Sequence, residues 1–196
     1  MKSVLRTSAL CGVALLGALQ VSSARADGND TALTNLISLV SQRLALAEPV
    51  AHWKWVNRRS ITDPAREKAL LADVQKRSVD AGVDPAFAQA FFADQIDAST
   101  QVQHALFDSW RASQPPAAPP PDLATVVRPQ LDRLTPQLIA GLARVQPLRA
   151  APDCPVRVAR SIANWKSLTR YDSTRGDALV RALGHVCESG GVGGVA

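Results

Sequence analysis

The spacing of apolar and polar positions predicts an all-helical protein. Apolar residues recur every three or four positions through most of the chain, runs of β-branched residues are few, and alanine and leucine dominate. This 3.6-residue period is typical of amphipathic helices. We therefore predict one domain, an all-α bundle of about six helices. Their approximate ranges are 33–56, 64–81, 85–110, 123–145, 155–169 and 173–188.

Helix boundaries are marked by residues that begin or end helices for known reasons. Asp63 and Asp84 can each cap a helix, and Pro64 and Pro85 follow at the first helical position, where proline is favoured. Gly82 suits the end of the second helix. Prolines inside predicted helices should bend or break them, because they remove one backbone hydrogen bond. These are Pro49, Pro129 and Pro136.

Two cations interrupt the apolar face of the first predicted helix. At 100° per residue, Arg43 and Lys54 lie near the centre of a stripe whose other members are apolar. A buried cation without a partner is costly, so each needs an anion. Together they can hold two ends of one small anion. The alternative is that they bend out to solvent or pair with a carboxylate such as Glu48.

A second polar interruption lies on the third predicted helix. Ser99 and Gln103 fall in the middle of a face formed by Phe92, Ile96, Leu106 and Trp110. Polar groups in such a face need hydrogen-bond partners, and two residues one turn apart can reach the same one. Each can instead be satisfied locally, by its own helix, a neighbouring backbone or water. Two interrupted faces in one small domain favour a shared polar pocket.

The sequence gives little support for nucleophilic or metal catalysis. The three histidines, His52, His104 and His185, are scattered without metal-ligand spacing, and we expect neither a metal nor a cofactor. What remains is a reaction whose substrate needs only to be held in a reactive shape by fixed charges. Arg66, in the first turn of the second helix, is a third candidate cation at a helix end that favours anions.

Residues 1–26 have the pattern of a cleaved signal peptide. A basic start is followed by a short apolar stretch and by Ala24-Arg25-Ala26, so we expect the mature protein to begin at Asp27 and to be periplasmic or secreted. Cleavage removes three cations, leaving 19 Lys and Arg against 17 Asp and Glu. This near-neutral balance does not suggest nucleic acid as a partner. No other apolar run is long enough to span a membrane, so none is expected after cleavage.

The mature chain, residues 27–196, keeps two cysteines, Cys154 and Cys187. An even number in an oxidising compartment favours a disulfide, which would join the start of the fifth predicted helix to the end of the sixth. The alternative is two buried free thiols. A proline-rich stretch at 114–121 predicts a stiff linker inside the domain, and the glycine-rich tail at 189–196 should be mobile.

Taken together, the candidate residues resemble the active site of the all-helical chorismate mutases. The pattern is Arg43-x10-Lys54-x8-Asp63-x2-Arg66-Glu67, with Ser99-x3-Gln103 on a later helix. The segments AEPVAHWKW, DPAFAQAFFADQIDAS and PPPDL, with the late cysteine pair, are most similar to the exported, disulfide-containing subclass. The resemblance covers nearly all of residues 30–188. It implies a type II chorismate mutase fold, a homodimer and chorismate as substrate.

The resemblance also implies a role for each residue in converting chorismate to prephenate, a unimolecular pericyclic rearrangement. Arg43 and Arg66 would pair with substrate carboxylates, and Lys54 would contact a carboxylate and the ether oxygen, to which Gln103 donates. Glu67 would bind the ring hydroxyl, and Asp63 and Ser99 would support the ring end and a carboxylate. Exported members also take an arginine from the segment after the linker. Arg128 matches that arginine with a one-residue offset.

One departure from the family pattern affects the chemistry. Some exported members have a glutamate where this chain has Gln103, and that carboxyl must be protonated to donate. An amide donates at any pH. Two other classes remain open: a non-catalytic exported protein that binds a small dicarboxylate, and a helical adaptor whose cations face solvent. Burial of Arg43 and Lys54 around one cavity would exclude the adaptor.

Overall fold

The structure is a computed structural model that describes residues 21–190, with side chains from residue 28. Positions 1–20 of the predicted signal peptide and 191–196 of the predicted tail lie outside the described residues. The described part contains helices and turns and no strand, which confirms the all-helical prediction. Seven α-helices form it: α1 (Val21–Ala45), α2 (Ala47–Val56), α3 (Pro64–Asp80), α4 (Pro85–Ala112), α5 (Arg128–Val145), α6 (Cys154–Thr169) and α7 (Ser173–Ala182).

Helix α4 is the element on which the site is built. It packs against α2, α3 and α7, while α1 packs against α5 and α6. Phe91 and Phe92 of α4 are fully buried in the core. Their rings meet edge to face with centroids 5.6 Å apart. Within the described chain, no helix is both long enough and apolar enough to cross a membrane.

The first predicted helix is two helices, which corrects the prediction of one bent helix over 33–56. The break lies at Leu46, between α1 and α2, three residues before Pro49. Proline has no N–H to donate to the carbonyl four residues earlier, here Ala45, and its ring clashes with that carbonyl. The interruption therefore falls at the preceding turn. Arg43 and Lys54 consequently lie on different helices.

Both Asp-Pro starts cap helices as predicted. The Asp63 carboxylate accepts from the backbone N–H of Arg66 at 3.2 Å, and that of Asp84 accepts from Ala86 and Phe87. Gly82 follows α3 with φ +67°, a left-handed conformation that glycine adopts without steric cost. The start and end of α3 are thus fixed by local chemistry.

The fourth predicted helix differs from its prediction at two points. Asp122 caps a π-helical turn, Leu123–Val127, and the regular helix α5 begins only at Arg128. Pro129 lies in the first turn of α5, where its missing N–H ends the π-type hydrogen bonding in which Arg128 donates to the Leu123 carbonyl. Pro136 was expected to kink or break the helix, but α5 continues through it. Pro136 and Asp132, whose carbonyl loses its partner, are both exposed, so water can replace that bond.

A disulfide joins Cys154, the first residue of α6, to Cys187, with Cα atoms 5.9 Å apart. This confirms the predicted pairing and excludes two free thiols. Closing a loop of 33 residues contributes about 3–4 kcal/mol on the chain-entropy model.

The last helix is shorter than predicted and ends at Ala182, not near Glu188. The Asp94 carboxylate of α4 accepts from the backbone N–H of His185 at 2.9 Å and from its ring Nδ1 at 2.8 Å. Gly184 passes close to the same carboxylate. These tertiary contacts replace helical hydrogen bonds, so Cys187 reaches its partner from a turn.

Candidate active site

Lys54 lies at the centre of the candidate site, in the last turn of α2. Its half-buried ammonium donates to the backbone carbonyl of Ile61, in the loop after α2, and to Oε1 of Gln103 on α4 at 3.1 Å. The two polar interruptions recognised in the sequence therefore meet in one hydrogen bond.

Gln103 and Ser99 extend this chain of hydrogen bonds along α4. Gln103 is only 4% exposed, and its Nε2 donates to Oγ of Ser99 at 3.1 Å. A primary amide has two N–H donors and an acceptor oxygen. With the oxygen held by Lys54 and one N–H by Ser99, the Gln103 amide is fixed in orientation and retains a second N–H.

Four charged residues surround the Lys54 ammonium. Burial lowers the pKa of Lys54 below its ordinary value of 10.5, Asp63 and Glu67 oppose that shift, and the positive charges of Arg66 and Arg128 add to it. Coulomb interactions weaken with distance, so charges that act on this pKa lie in its neighbourhood. All four of these predicted site residues therefore lie near Lys54, although they come from two separate parts of the chain.

Arg43 is the most buried cation of the group, at 9% exposure. Its Nη1 donates to the backbone carbonyl of Gln95 on α4 at 3.5 Å. Burial, together with the positive charge of Arg66, lowers its pKa to about 10, so the guanidinium stays charged at neutral pH. Glu48, the alternative partner suggested by the sequence, instead pairs with Arg175 at 2.8 Å.

The start of α3 presents two carboxylates and a cation together. Asp63 caps the helix, and its own backbone N–H donates to Oε1 of Glu67 at 3.0 Å. This reciprocal arrangement resembles a capping box and fixes both side chains at the helix start. Arg66 lies in the same turn and is exposed.

Arg128 adds a cation from the far side of the proline-rich linker. It is the first residue of α5, half-buried, and its Nε is buried without a hydrogen-bond partner. A buried N–H costs free energy unless an acceptor forms a hydrogen bond with it. Arg128 is therefore poised to donate to an added acceptor.

Lys54, Asp63 and Arg128 line a cavity of about 410 Å³, which also includes Trp53 and Leu123. The other five predicted site residues do not line it directly. Gln103 and Ser99 lie behind Lys54, Arg66 and Glu67 act on Lys54 through their charges, and Arg43 is buried beside α4. Arg43 is buried and Lys54 is half-buried, so neither cation faces solvent as the adaptor hypothesis requires.

Sequence reasoning missed several contributors to the cavity. The loop after α2 contributes Arg58, Arg59, Ser60 and Thr62 to the cavity wall, and none of these four was predicted as a site residue. The carbonyl of Ile61 also receives the Lys54 hydrogen bond. Two consecutive arginines next to a candidate catalytic lysine were the available signal. Loop contacts of this kind follow from tertiary packing and have no periodic pattern.

Chemically, the site is an arrangement of fixed cations and hydrogen-bond donors. Across residues 28–190, no group of three or more His, Cys, Asp and Glu side chains is placed to hold a metal ion. His52 packs against Trp110, and His185 pairs with Asp94 at the other end of α4. The fold and the site define an all-helical protein with a cationic pocket for a small anion.

The comparisons with known proteins identify the family. Residues 30–104 match the family model of chorismate mutase type II. A protein of Mycolicibacterium smegmatis named secreted chorismate mutase is 31% identical over 181 residues, covering 91% of this chain and 99% of that protein. One of the same name from Mycobacterium tuberculosis is 29% identical over 178 residues, covering 90% and 88%. This chain belongs to the chorismate mutase type II family.

Two solved structures have the same fold. The crystal structure of chorismate mutase from Burkholderia thailandensis is 70% identical in sequence, with a TM-score of 0.79, covering 80% of this chain and 99% of that one. The structure from Burkholderia phymatum is 32% identical, with a TM-score of 0.77 and coverage of 81% and 98%. The fold class and family predicted from the sequence are confirmed.

Proposed function

We infer that the protein is a chorismate mutase that rearranges chorismate to prephenate. The relatives and solved structures carry that name, and the observation in this chain that supports it most is the Lys54–Gln103 hydrogen bond. A pocket that only bound carboxylates would need cations alone. A lysine paired with an amide that keeps one N–H free is suited to an uncharged oxygen that becomes negative during reaction.

The rearrangement breaks a C–O bond and forms a C–C bond within one molecule, so no base or covalent intermediate is required. The enzyme's contribution is to hold the enolpyruvyl arm over the ring and to stabilise negative charge on the ether oxygen. We assign Lys54 and the remaining N–H of Gln103 to that oxygen. On substrate binding, the Lys54–Gln103 hydrogen bond would break and the Gln103 amide would turn, so that its N–H and the Lys54 ammonium both donate to the ether oxygen.

The cations around Lys54 would hold the two carboxylates of the substrate. We assign Arg43 and Arg66 to these carboxylates, and Arg128 as a further donor whose buried Nε gains an acceptor. Glu67 is assigned to the ring hydroxyl, with Asp63 and Ser99 supporting the ring end and a carboxylate. Because several of these groups are withdrawn from water, their interactions with a dianion are stronger than at a surface.

The decisive experiment uses purified mature protein, residues 27–196, with chorismate. We expect the absorbance of chorismate to fall and prephenate to appear, identified after acid conversion to phenylpyruvate. Protein that is denatured by heat and kept unfolded serves as the control. Saturable binding of chorismate without formation of prephenate would contradict the proposed function and support the dicarboxylate-binding alternative.

We propose that the protein is exported, that residues 1–26 are removed and that it forms a homodimer. The two curated relatives are named as secreted proteins, and the sequence at 1–26 has the signal pattern. The dimer follows from the family resemblance, and sedimentation equilibrium of the mature protein tests it. Twice the monomer mass is expected.

The pH dependence of turnover should reflect the charge of Lys54. Because burial lowers its pKa, the ammonium loses its proton at a lower pH than an exposed lysine. We expect kcat/KM to fall on the alkaline side with an apparent pKa below 10.5. The fall in kcat should come at higher pH, since a bound dianion favours the charged amine. Steady-state rates over a range of chorismate concentrations, with circular dichroism to verify folding at each pH, measure both. Identical alkaline limbs for kcat and kcat/KM would contradict this assignment.

A further inference from the structure

Arg58, just after α2, has a backbone conformation that arginine rarely adopts. Its φ is 52°, and among the described non-glycine residues only Arg170 shares a positive φ. The N–H of Arg58 donates to the carbonyl of Trp55 at 3.2 Å, and that of Arg59 to Lys54 at 2.8 Å. This pair of hydrogen bonds is the Schellman motif, whose left-handed position is usually glycine. The backbone of Arg58 is therefore strained, which indicates that arginine is present here for a reason other than backbone geometry.

The side chains of Arg58 and Arg59 have no internal partner. Both are exposed, and neither guanidinium makes a hydrogen bond or ion pair within the described residues. Several other exposed arginines do pair with a carboxylate, as Arg77 does with Asp73 and Arg181 with Asp97. Within the described residues, Arg58 and Arg59 are therefore not tied up in a direct ion pair, although Asp63 lines the same cavity.

Both arginines lie in the walls of two cavities that share Lys54. One is the 410 Å³ cavity with Asp63 and Arg128. The other, of about 460 Å³, is lined by Lys54, Trp55, Arg58, Arg59, Phe107 and Arg111. An anion approaching Lys54 through either opening passes the two guanidiniums. The low-dielectric walls provided by the aromatic rings concentrate the field of these charges.

We propose that Arg58 and Arg59 form a capture site that draws the dicarboxylate substrate toward Lys54 and is vacated before the rearrangement. This inference rests on the proposed function. The two residues would increase the rate or affinity of substrate entry without contacting the reacting atoms.

The test variant is Arg58→Gly combined with Arg59→Gln. We expect KM for chorismate to rise about 10-fold with kcat unchanged, and the salt dependence of kcat/KM to weaken, because removing rim charges mainly affects encounter. Since glycine relieves the left-handed strain, the Tm should stay the same or rise, by up to about 4 °C. A structural role for the arginines would instead lower the Tm and kcat together.

Arg170→Gly is the matched control, because it removes one arginine from the same backbone conformation at the end of α6. It should leave KM and its salt dependence unchanged. An effect as large as that of the double variant would mean that net charge, not the capture site, sets KM. An unchanged KM in the double variant would overturn the inference, whereas absence of turnover in the wild type would contradict the proposed function.

Tryptophan quenching tests the local positive potential without relying on turnover. Trp53 and Trp55 each line one of the two cavities. The anion iodide should quench wild-type fluorescence more strongly than that of the double variant at the same ionic strength, while neutral acrylamide quenches both equally. Equal iodide quenching would contradict the capture site even if the protein proved inactive.

Discussion

Replacing Lys54 with alanine is expected to lower kcat for chorismate by about 10³-fold. The ammonium is half-buried between α2 and α4, and its removal takes away the positive charge assigned to the breaking C–O bond. Steady-state rates with far-UV circular dichroism would measure the loss and verify that helicity is kept. A variant with kcat near that of the wild type would end the proposed mechanism.

Two further variants separate chemistry from folding. Lys54 also donates to the Ile61 carbonyl, so alanine can loosen the loop after α2. Lys54→Met keeps the length of the side chain and its packing while losing the charge, and it should lose activity to the same extent. Lys76→Ala removes an exposed lysine of α3 and should change neither kcat nor Tm.

Replacing Gln103 with glutamate is expected to make activity depend on acid. At pH 8 a carboxylate accepts but cannot donate to the ether oxygen, and kcat should fall by about 10²–10³-fold. Toward pH 5 the carboxyl takes up a proton and the activity should recover, while the wild type stays flat over that range. The pH profile of kcat measures this; a variant whose profile matches the wild type would refute the donor role.

The neighbouring lysine sharpens this prediction. In the free variant, the Lys54 ammonium would lie against the new carboxylate and favour its ionised form, which lowers its pKa. A bound dianionic substrate opposes that ionisation. The recovery should therefore come at a higher pH in kcat than in kcat/KM. Gln101→Glu, an exposed position on the same helix, makes the same charge change and should behave as the wild type.

Most of the fold followed from local sequence signals. Asp63 and Asp84, each before a proline, gave the starts of α3 and α4 because a capping carboxylate and a proline act through neighbouring backbone atoms alone. The break at Leu46 was not predicted, because Pro49 disrupts the helix at the preceding turn and not at its own position. The early end of α7 could not be predicted, since it depends on Asp94 of another helix.

The candidate site was predictable where polar residues interrupted an apolar pattern. Lys54 and Gln103 were recognisable for that reason, and a hydrogen bond joins them, although Gln103 does not line the cavity. Gln95 and Asp94 are also buried polar residues of α4, but they were overlooked because their partners, the carbonyl of Ala182 and His185, are backbone and turn groups far along the chain. Arg58 and Arg59 lie in a loop, where no helical period marks a residue as unusual.

The contacts of Gln95 and Asp94 determine the rotational setting of α4. Gln95 donates to the Ala182 carbonyl at 2.6 Å and accepts from Arg43 through its own carbonyl, while the adjacent Asp94 holds His185. Contacts with α1 on one side, and with α7 and the turn after it on the other, thus fix the orientation of α4 one turn before Ser99. Each residue inserted into a helix rotates the remainder of that helix by about 100°. A single insertion between 95 and 99 would carry the Gln103 amide away from Lys54, so this helix tolerates substitutions far better than changes of length.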